Sequence, residues 1–311
     1  MTVTLDPESP GGSPFPSGDP SAGPTTAALS QGRSGRRFGR RSSSSGSGSG
    51  ERLRLGSGLG LGVATIWLSI LVLLPLAAVV IKASDNGWSG FWDALSNPST
   101  AAALRLTVTQ AFLVTIVNVV LGTVVAWVLV RDDFPGKGIV DLVIDVPFAL
   151  PTIVAGLVLL SLYGPDSPVN LQFANTRVGI FIALLFVTVP FVVRAVQPVL
   201  EELDRDVEEA AASLGADRFT IFRRIVFPNL IPAIAAGTAL AFARAVSEYG
   251  SLVLISGNLP FKTEVAAVRI LSLNENDNSS GAAAVATVLL LVAVVTLLSI
   301  DGLRRWAVKR G

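Results

Sequence analysis

Glu209-Ala210-Ala211-Ala212-Ser213-Leu214-Gly215, continuing to Ile225, Phe227 and Pro228, is the stretch on which the fold turns. It lies in a charged segment, residues 194–224, with long apolar runs on either side. Residues 207–214 suit a short helix, and Gly215 tolerates a turn that other residues resist. Asp217 is placed to cap a second helix running through Phe219, Phe222, Arg223 and Ile225. Ala210, Ala211 and Leu214 share one face at helical spacing, and Phe219 and Phe222 do the same one turn apart. The result is a helical hairpin with apolar knobs and a charged rim, the form of a helix-in-groove contact. Two readings stand on the residues alone: a socket for another protein, and a hairpin packed on its own chain.

Composition says what surrounds the hairpin. Half of the 311 residues are hydrophobic and 15% are charged, against about a quarter charged in a typical soluble domain. Mean hydropathy is +0.61. Lipid is therefore the expected solvent for much of the chain. A formal net charge of +1 gives no basic field for nucleic acid. His and Cys are both absent, which excludes His-based acid–base work, Ser–His and Cys–His nucleophiles, Cys/His metal sites and disulfides.

A membrane-spanning helix needs about 20 mostly apolar residues. Residues 55–81, 106–130, 146–165, 178–193 and 278–300 are such runs, and another begins near Ile225 and is expected to continue past Arg244 and Glu248. Six spans put both termini on one side. Arg33, Arg36, Arg37, Arg40, Arg41, Arg52 and Arg54 precede the first span, and Arg304, Arg305, Lys309 and Arg310 follow the last. The positive-inside rule makes both ends cytoplasmic, and with them the Glu209 hairpin. The loops near residues 82–103 and 258–277 then face outward. Residues 1–54 are rich in Ser, Gly and Pro and read as a disordered cytoplasmic tail. Arg36-Arg37-Phe38 faintly resembles a twin-Arg export signal, but the following apolar run is too long for one.

Charge inside a span is costly and marks function or packing. A span entering lipid near Ile231 carries Arg244 about 20 Å and Glu248 about 26 Å inward, in the outer half of a core about 30 Å thick. Four apart on one helix, the two can pair. That pair reads either as a structural ion pair or as part of an anion path, with Arg244 lining it and Glu248 limiting how tightly it holds an anion. Pro147 and Pro151, early in the third span, read as a packing kink or as a broken helix on a transport path. Asp141 and Asp145 share a face and read as interfacial or helix-terminal groups. Gly136-Lys137-Gly138 lacks the hydroxyl residue of a phosphate loop, so ATP hydrolysis is not expected here.

Glu209, Ala210, Ala211, Gly215, Ile225 and Pro228 resemble the EAA signature of ABC importer permeases of the MetI-like type, with Phe227 where Leu is usual. The resemblance implies an all-α, six-span ABC transmembrane type-1 fold. It assigns residues 55–100 to a first helix and external loop, 101–305 to the permease domain with its coupling loop at 201–228, and 306–311 to a C-terminal tail. Glu209, Ala210, Ala211, Gly215, Phe219, Phe222, Ile225 and Pro228 become the loop that docks a partner ATPase. Val146 to Gly156, Leu162-Tyr163-Gly164-Pro165-Asp166-Ser167-Pro168, Ala245-Val246-Ser247-Glu248-Tyr249-Gly250-Ser251 and Ile255 to Glu264 are similar to CysT-type sulfate/thiosulfate permeases, with Ser247 where Gly is usual. That implies a bacterial inner-membrane protein with no cofactor of its own. Its partners would be a CysW-like second permease, two ATP-binding subunits carrying ATP and Mg2+, and an external sulfate/thiosulfate-binding protein. Arg244, Glu248, Pro147 and Pro151 are the candidates for the translocation path. The alternatives are a molybdate/tungstate permease of the same fold and, from another class, an ion-coupled secondary anion transporter.

Overall fold

The computed structural model describes residues 55–308, and every regular element among them is helical. Residues 1–54 and 309–311 lie outside the described residues, and with them the expected tail and the Arg36-Arg37-Phe38 pattern. Five helices or helix runs are long and apolar enough to cross a membrane: Gly60–Ala83, Pro98–Arg131, Arg177–Glu202, Arg218–Val246 and Ser279–Gly302. The sixth expected span is not straight. It consists of two helices, Lys137–Ala149 and Thr152–Tyr163, bent by 115° at the break between them.

In chain order the first elements are α1 (Leu55–Ala83), α2 (Gly87–Ser96) and α3 (Pro98–Arg131). Asn97 starts α3 by accepting from the Ser99 and Thr100 N–H groups at 3.1 and 3.4 Å, with Pro98 at the first helical position. Next come α4 (Lys137–Ala149) and α5 (Thr152–Tyr163). Their break follows from Pro151. A residue before proline is driven out of the helical region, and Leu150 is extended at φ −85°, ψ 133°. The expected single span at 146–165 therefore becomes two helices.

The chain continues through α6 (Arg177–Glu202), α7 (Arg205–Ser213) and α8 (Arg218–Ile221) into a π turn at Phe222–Val226 and α9 (Phe227–Val246). Pro228 explains the π turn: it offers no N–H to Arg224 and its ring crowds that carbonyl, so the turn widens and Phe227 N–H bonds to Phe222 instead. Helix α9 stops at Val246 rather than continuing past Glu248 as expected. The short α10 (Gly250–Ile255), α11 (Ala266–Glu275) and α12 (Ser279–Val308) complete the chain.

Helix α6 is the central post, flanked by α3 and α9. A Cβ on Gly122 of α3 would fall 2.7 Å from Val192 Cβ, and one on Gly237 of α9 would fall 2.9 Å from Val192 Cα. Small residues here let three backbones approach, as in other helical membrane proteins. Two apolar cores stack along this post. One gathers Val114, Ile180, Leu184, Phe242, Leu252 and Ile255, joining α3, α6, α9 and α10. The other gathers Leu129, Val192, Val196, Leu200, Val226 and Leu230 nearer the hairpin. Helix α1 is exposed along its apolar length and meets the bundle at its end, where Val79 and Ala83 pack with Ala283 and Ala284 of α12.

Candidate functional site

The hairpin forms as its spacing predicts, with its helices slightly shifted. Asp204 opens α7 by accepting from Asp206 N–H at 2.9 Å. Gly215 closes it at φ +88°. Gly215 N–H bonds to Ala212 O at 2.9 Å and Ala216 N–H to Ala211 O at 3.1 Å. These two bonds make a Schellman cap, which requires a left-handed residue at the glycine position. Asp217 stands at the N-cap of α8 without a direct side-chain cap bond. The Thr220 hydroxyl, with lesser help from nearby N–H groups, nonetheless holds its carboxyl below the ordinary carboxylate range.

The two faces of the hairpin differ. Ile221 is buried, and Phe222 meets Trp127 edge-on at 5.5 Å and Phe227 at 5.8 Å. Leu214 and Phe219 are 89% and 68% exposed, and Val207 is also exposed. The expectation that Phe219 and Phe222 share a face is corrected: the π turn begins at Phe222 and rotates it inward, away from Phe219. Glu209 and Ala210 lie on the open side, Ala211 and Ile225 are half-buried, and Pro228 is exposed at the start of α9. The reading of the sequence missed the anchor. Glu208 pairs with Arg131 at the end of α3, and Arg131 lies 5.5 Å over the Trp127 ring. Those partners are 77 residues apart, a separation that helical periodicity cannot bridge.

A second polar cluster joins α4 to α6. Arg194 Nε and Nη2 grip the Asp145 carboxylate at 2.8 and 2.7 Å. Nη1 bonds to Asp141 Oδ1 at 2.7 Å and Gln197 Oε1 at 2.6 Å, and Nη2 also reaches the Asp141 carbonyl at 3.0 Å. Asp141 and Asp145 are thus mid-helix ligands of an arginine, not helix-terminal groups.

Arg244 and Glu248 do come together, but not on one helix. Glu248 sits in the corner after α9 with its side chain fully enclosed. Its Oε1 accepts from Ser251 N–H at 2.8 Å and Ser251 Oγ at 2.9 Å, holding the first turn of α10. Arg244 Nη2 meets Oε2 at 2.6 Å as a charge contact without hydrogen-bond alignment, and the arginine keeps 29% of its side chain exposed. Around the corner, α10 and α5 interlock through glycines. A Cβ on Gly250 would strike Thr152 Oγ1 and come within 2.9 Å of Ile153 N. A Cβ on Gly156 would come within 2.7 Å of Ser251 O. Pro151, exposed, starts α5 beside this contact, and Pro147 is buried within α4. The structure thus sets Pro151, Glu248 and Arg244 around one corner, with Pro147 on the other side of the break. In the following loop, burial raises the Glu264 carboxyl above the ordinary range, opposed by Arg269 at 3.8 Å.

Broken and unbroken apolar helices around a central post, with an anchored hairpin at one end, define a multi-pass helical membrane component. The chain belongs to the family of binding-protein-dependent transport system inner membrane components, matched over residues 118–310. Within that family it is similar to the sulfate transport system permease protein CysT of Synechocystis, 46% identical over 248 residues that cover 78% of this chain and 87% of the relative. The CysT protein of Salmonella typhimurium is 43% identical, with 66% and 76% covered. Among solved structures, a bacterial ABC transporter that imports the polysaccharide alginate has a chain of the same fold at TM-score 0.68 and 15% identity, covering 80% of this chain and 94% of that one. A chain of the MetNI methionine ABC transporter follows at TM-score 0.53 and 16% identity, with 66% and 94% covered.

Proposed function

We propose that this chain is the permease of an ATP-driven importer for sulfate/thiosulfate, forming half of the translocation path. The observation that carries the substrate is the 46% identity to a sulfate permease across 87% of that relative's length. ATP and Mg2+ are handled by two partner ATPase subunits, a CysW-like permease supplies the other half of the path, and an external binding protein delivers the oxyanion. Both termini and the Glu209 hairpin are cytoplasmic, as the Lys/Arg distribution argues.

Leu214 and Phe219 are the docking knobs of that hairpin. Their exposure beside an anchored inner face supports this reading, since an apolar patch on a fixed platform is the form of an interface. Glu209, Ala210, Ala211, Gly215, Phe222, Ile225 and Pro228 shape the platform. ATP binding and hydrolysis bias outward and inward states through differential contacts at this hairpin. Arg244, partly exposed and paired with Glu248, gives a passing dianion weak attraction without trapping it.

The test is co-purification with the partner ATPase, followed by oxyanion-dependent ATPase and labelled-sulfate uptake in vesicles. Sulfate and thiosulfate should stimulate both. Stimulation by molybdate alone would assign the chain to a molybdate importer, and uptake by the isolated chain without ATP would make it an ion-coupled transporter. Normal uptake kinetics in assembled Arg244→Gln would remove Arg244 from the path.

A further inference from the structure

Helix α4 is held to the bundle mainly by charge. Its one buried residue is Pro147, while Ile139, Leu142 and Val143 are exposed. Its apolar grip on α6 is the Phe148–Phe191 edge contact at 5.0 Å, with Ile144 partly packed. Asp141 and Asp145, one turn apart, repel each other on a helix that otherwise suits lipid. Arg194 resolves that repulsion. Its five contacts use all five N–H donors of the guanidinium: two on Asp145, two on Asp141 and one on Gln197. Only a planar fork can meet two carboxylates and a carbonyl together.

The two halves of the broken span are fastened at different places: α4 to the hairpin end of α6 at Arg194, and α5 to α10, which shares a core with Ile180 and Leu184 at the other end of α6. On one side of residues 150–151, α4 is fastened to α6, and α6 is followed within three residues by α7 of the hairpin. On the other side, α5 is interlocked with α10 through Gly156 and Gly250. Extended backbone at Leu150 and Pro151 separates the two, with no intrahelical hydrogen bonds across it to stiffen the bend. We propose that Arg194 is a positioning residue that makes α4 ride with the hairpin end of α6, so that a displacement of the docked hairpin reaches the membrane interior as a change of bend at residues 150–151. The proposal rests on the reading of the hairpin as the ATPase dock.

The chain has no cysteine, so introduced pairs label cleanly. In the assembled, reconstituted importer, Gly138→Cys/Glu201→Cys reports α4 against α6, and Gly138→Cys/Leu157→Cys reports across the break. A side chain on Gly138 meets nothing within 4 Å, and Glu201 and Leu157 are exposed. Spin-label distances are measured without nucleotide and in an ATP-trapped state. The 138–201 distance should stay fixed while the 138–157 distance shifts. The reverse pattern, or no shift across the break, overturns the proposal without needing any change at Arg194.

In Arg194→Gln the 138–201 distribution should broaden, and sulfate taken up per ATP hydrolysed should fall about tenfold with ATPase docking intact. Arg194→Lys should recover only part of that, because a point charge cannot hold both carboxylates. Docking and transport per ATP both at wild-type level in Arg194→Gln would sink the latch while leaving the importer reading in place. Failure of the wild-type chain to dock any ATPase would overturn both.

Discussion

Replacing Gly215 tests whether the hairpin's shape, rather than its surface, sets docking. Gly215 sits at φ +88° in the Schellman cap between α7 and α8. A Cβ placed there meets nothing within 4 Å, so Gly215→Ala introduces backbone strain and no clash. An L-residue in left-handed backbone costs about 1–2 kcal/mol. A β-branched side chain is a more severe outlier in that region. At 1.4 kcal/mol per tenfold, the strain of Gly215→Ala shifts the hairpin away from its docked shape by about 5–30-fold. The cost is local, because neither cap bond reaches the cores around Leu184 and Val196. ATPase affinity, measured by titration of the reconstituted permease, should therefore weaken about 5–30-fold for Gly215→Ala and further for Gly215→Val. Thermal unfolding of the bundle should not move. Gly215→Asn should lose less than Ala, since Asn enters this region more readily, and Gly138→Ala is the neutral control. Wild-type affinity in Gly215→Val would refute the reasoning, as would an Asn variant no better than Val.

Leu214→Asp combined with Phe219→Asp should abolish ATPase pull-down while changing bundle stability by no more than about 0.5 kcal/mol, because both side chains are exposed. Gly156→Leu should lower the melting temperature in detergent, since overpacking against the Ser251 backbone costs about 1–3 kcal/mol. Glu264 supplies a pH signature. Burial raises its folded-state pKa, so stability is full below the unfolded value and is lost as pH rises through the folded one. Melting temperature should therefore decline from acid toward neutral pH, and Glu264→Gln should flatten that decline; an unchanged slope would count against it.

Hydropathy located α1, α3, α6 and α12, because each is one long apolar helix whose solvent is lipid. The EAA spacing located the hairpin, since Gly215 and the helical faces are local signals. What failed was direction. Residues 146–165 are apolar on both sides of the break, and a window average registers composition without noticing a 115° bend. Pro151 carried the signal through its effect on Leu150, yet proline also occurs in merely kinked spans. The end of α9 was hidden in the same way. Arg244 and Glu248 are four apart, which fits one helix as well as a corner, and the corner exists because Gly250 seats against Thr152. Arg194 and its carboxylates are 49 and 53 residues apart, so the charges were visible but their pairing was not.

The interlock of Gly156 and Gly250 also bears on how the protein is made. Gly250 follows Thr152 by 98 residues, so α5 leaves the ribosome long before the surface it fits has been synthesised. Contacts of such sequence separation form late and slowly. Helix α4 can meet Arg194 of α6 earlier, but α5 lacks its α10 neighbour until α9 turns its corner. That interval closes once Ser251 reaches Gly156.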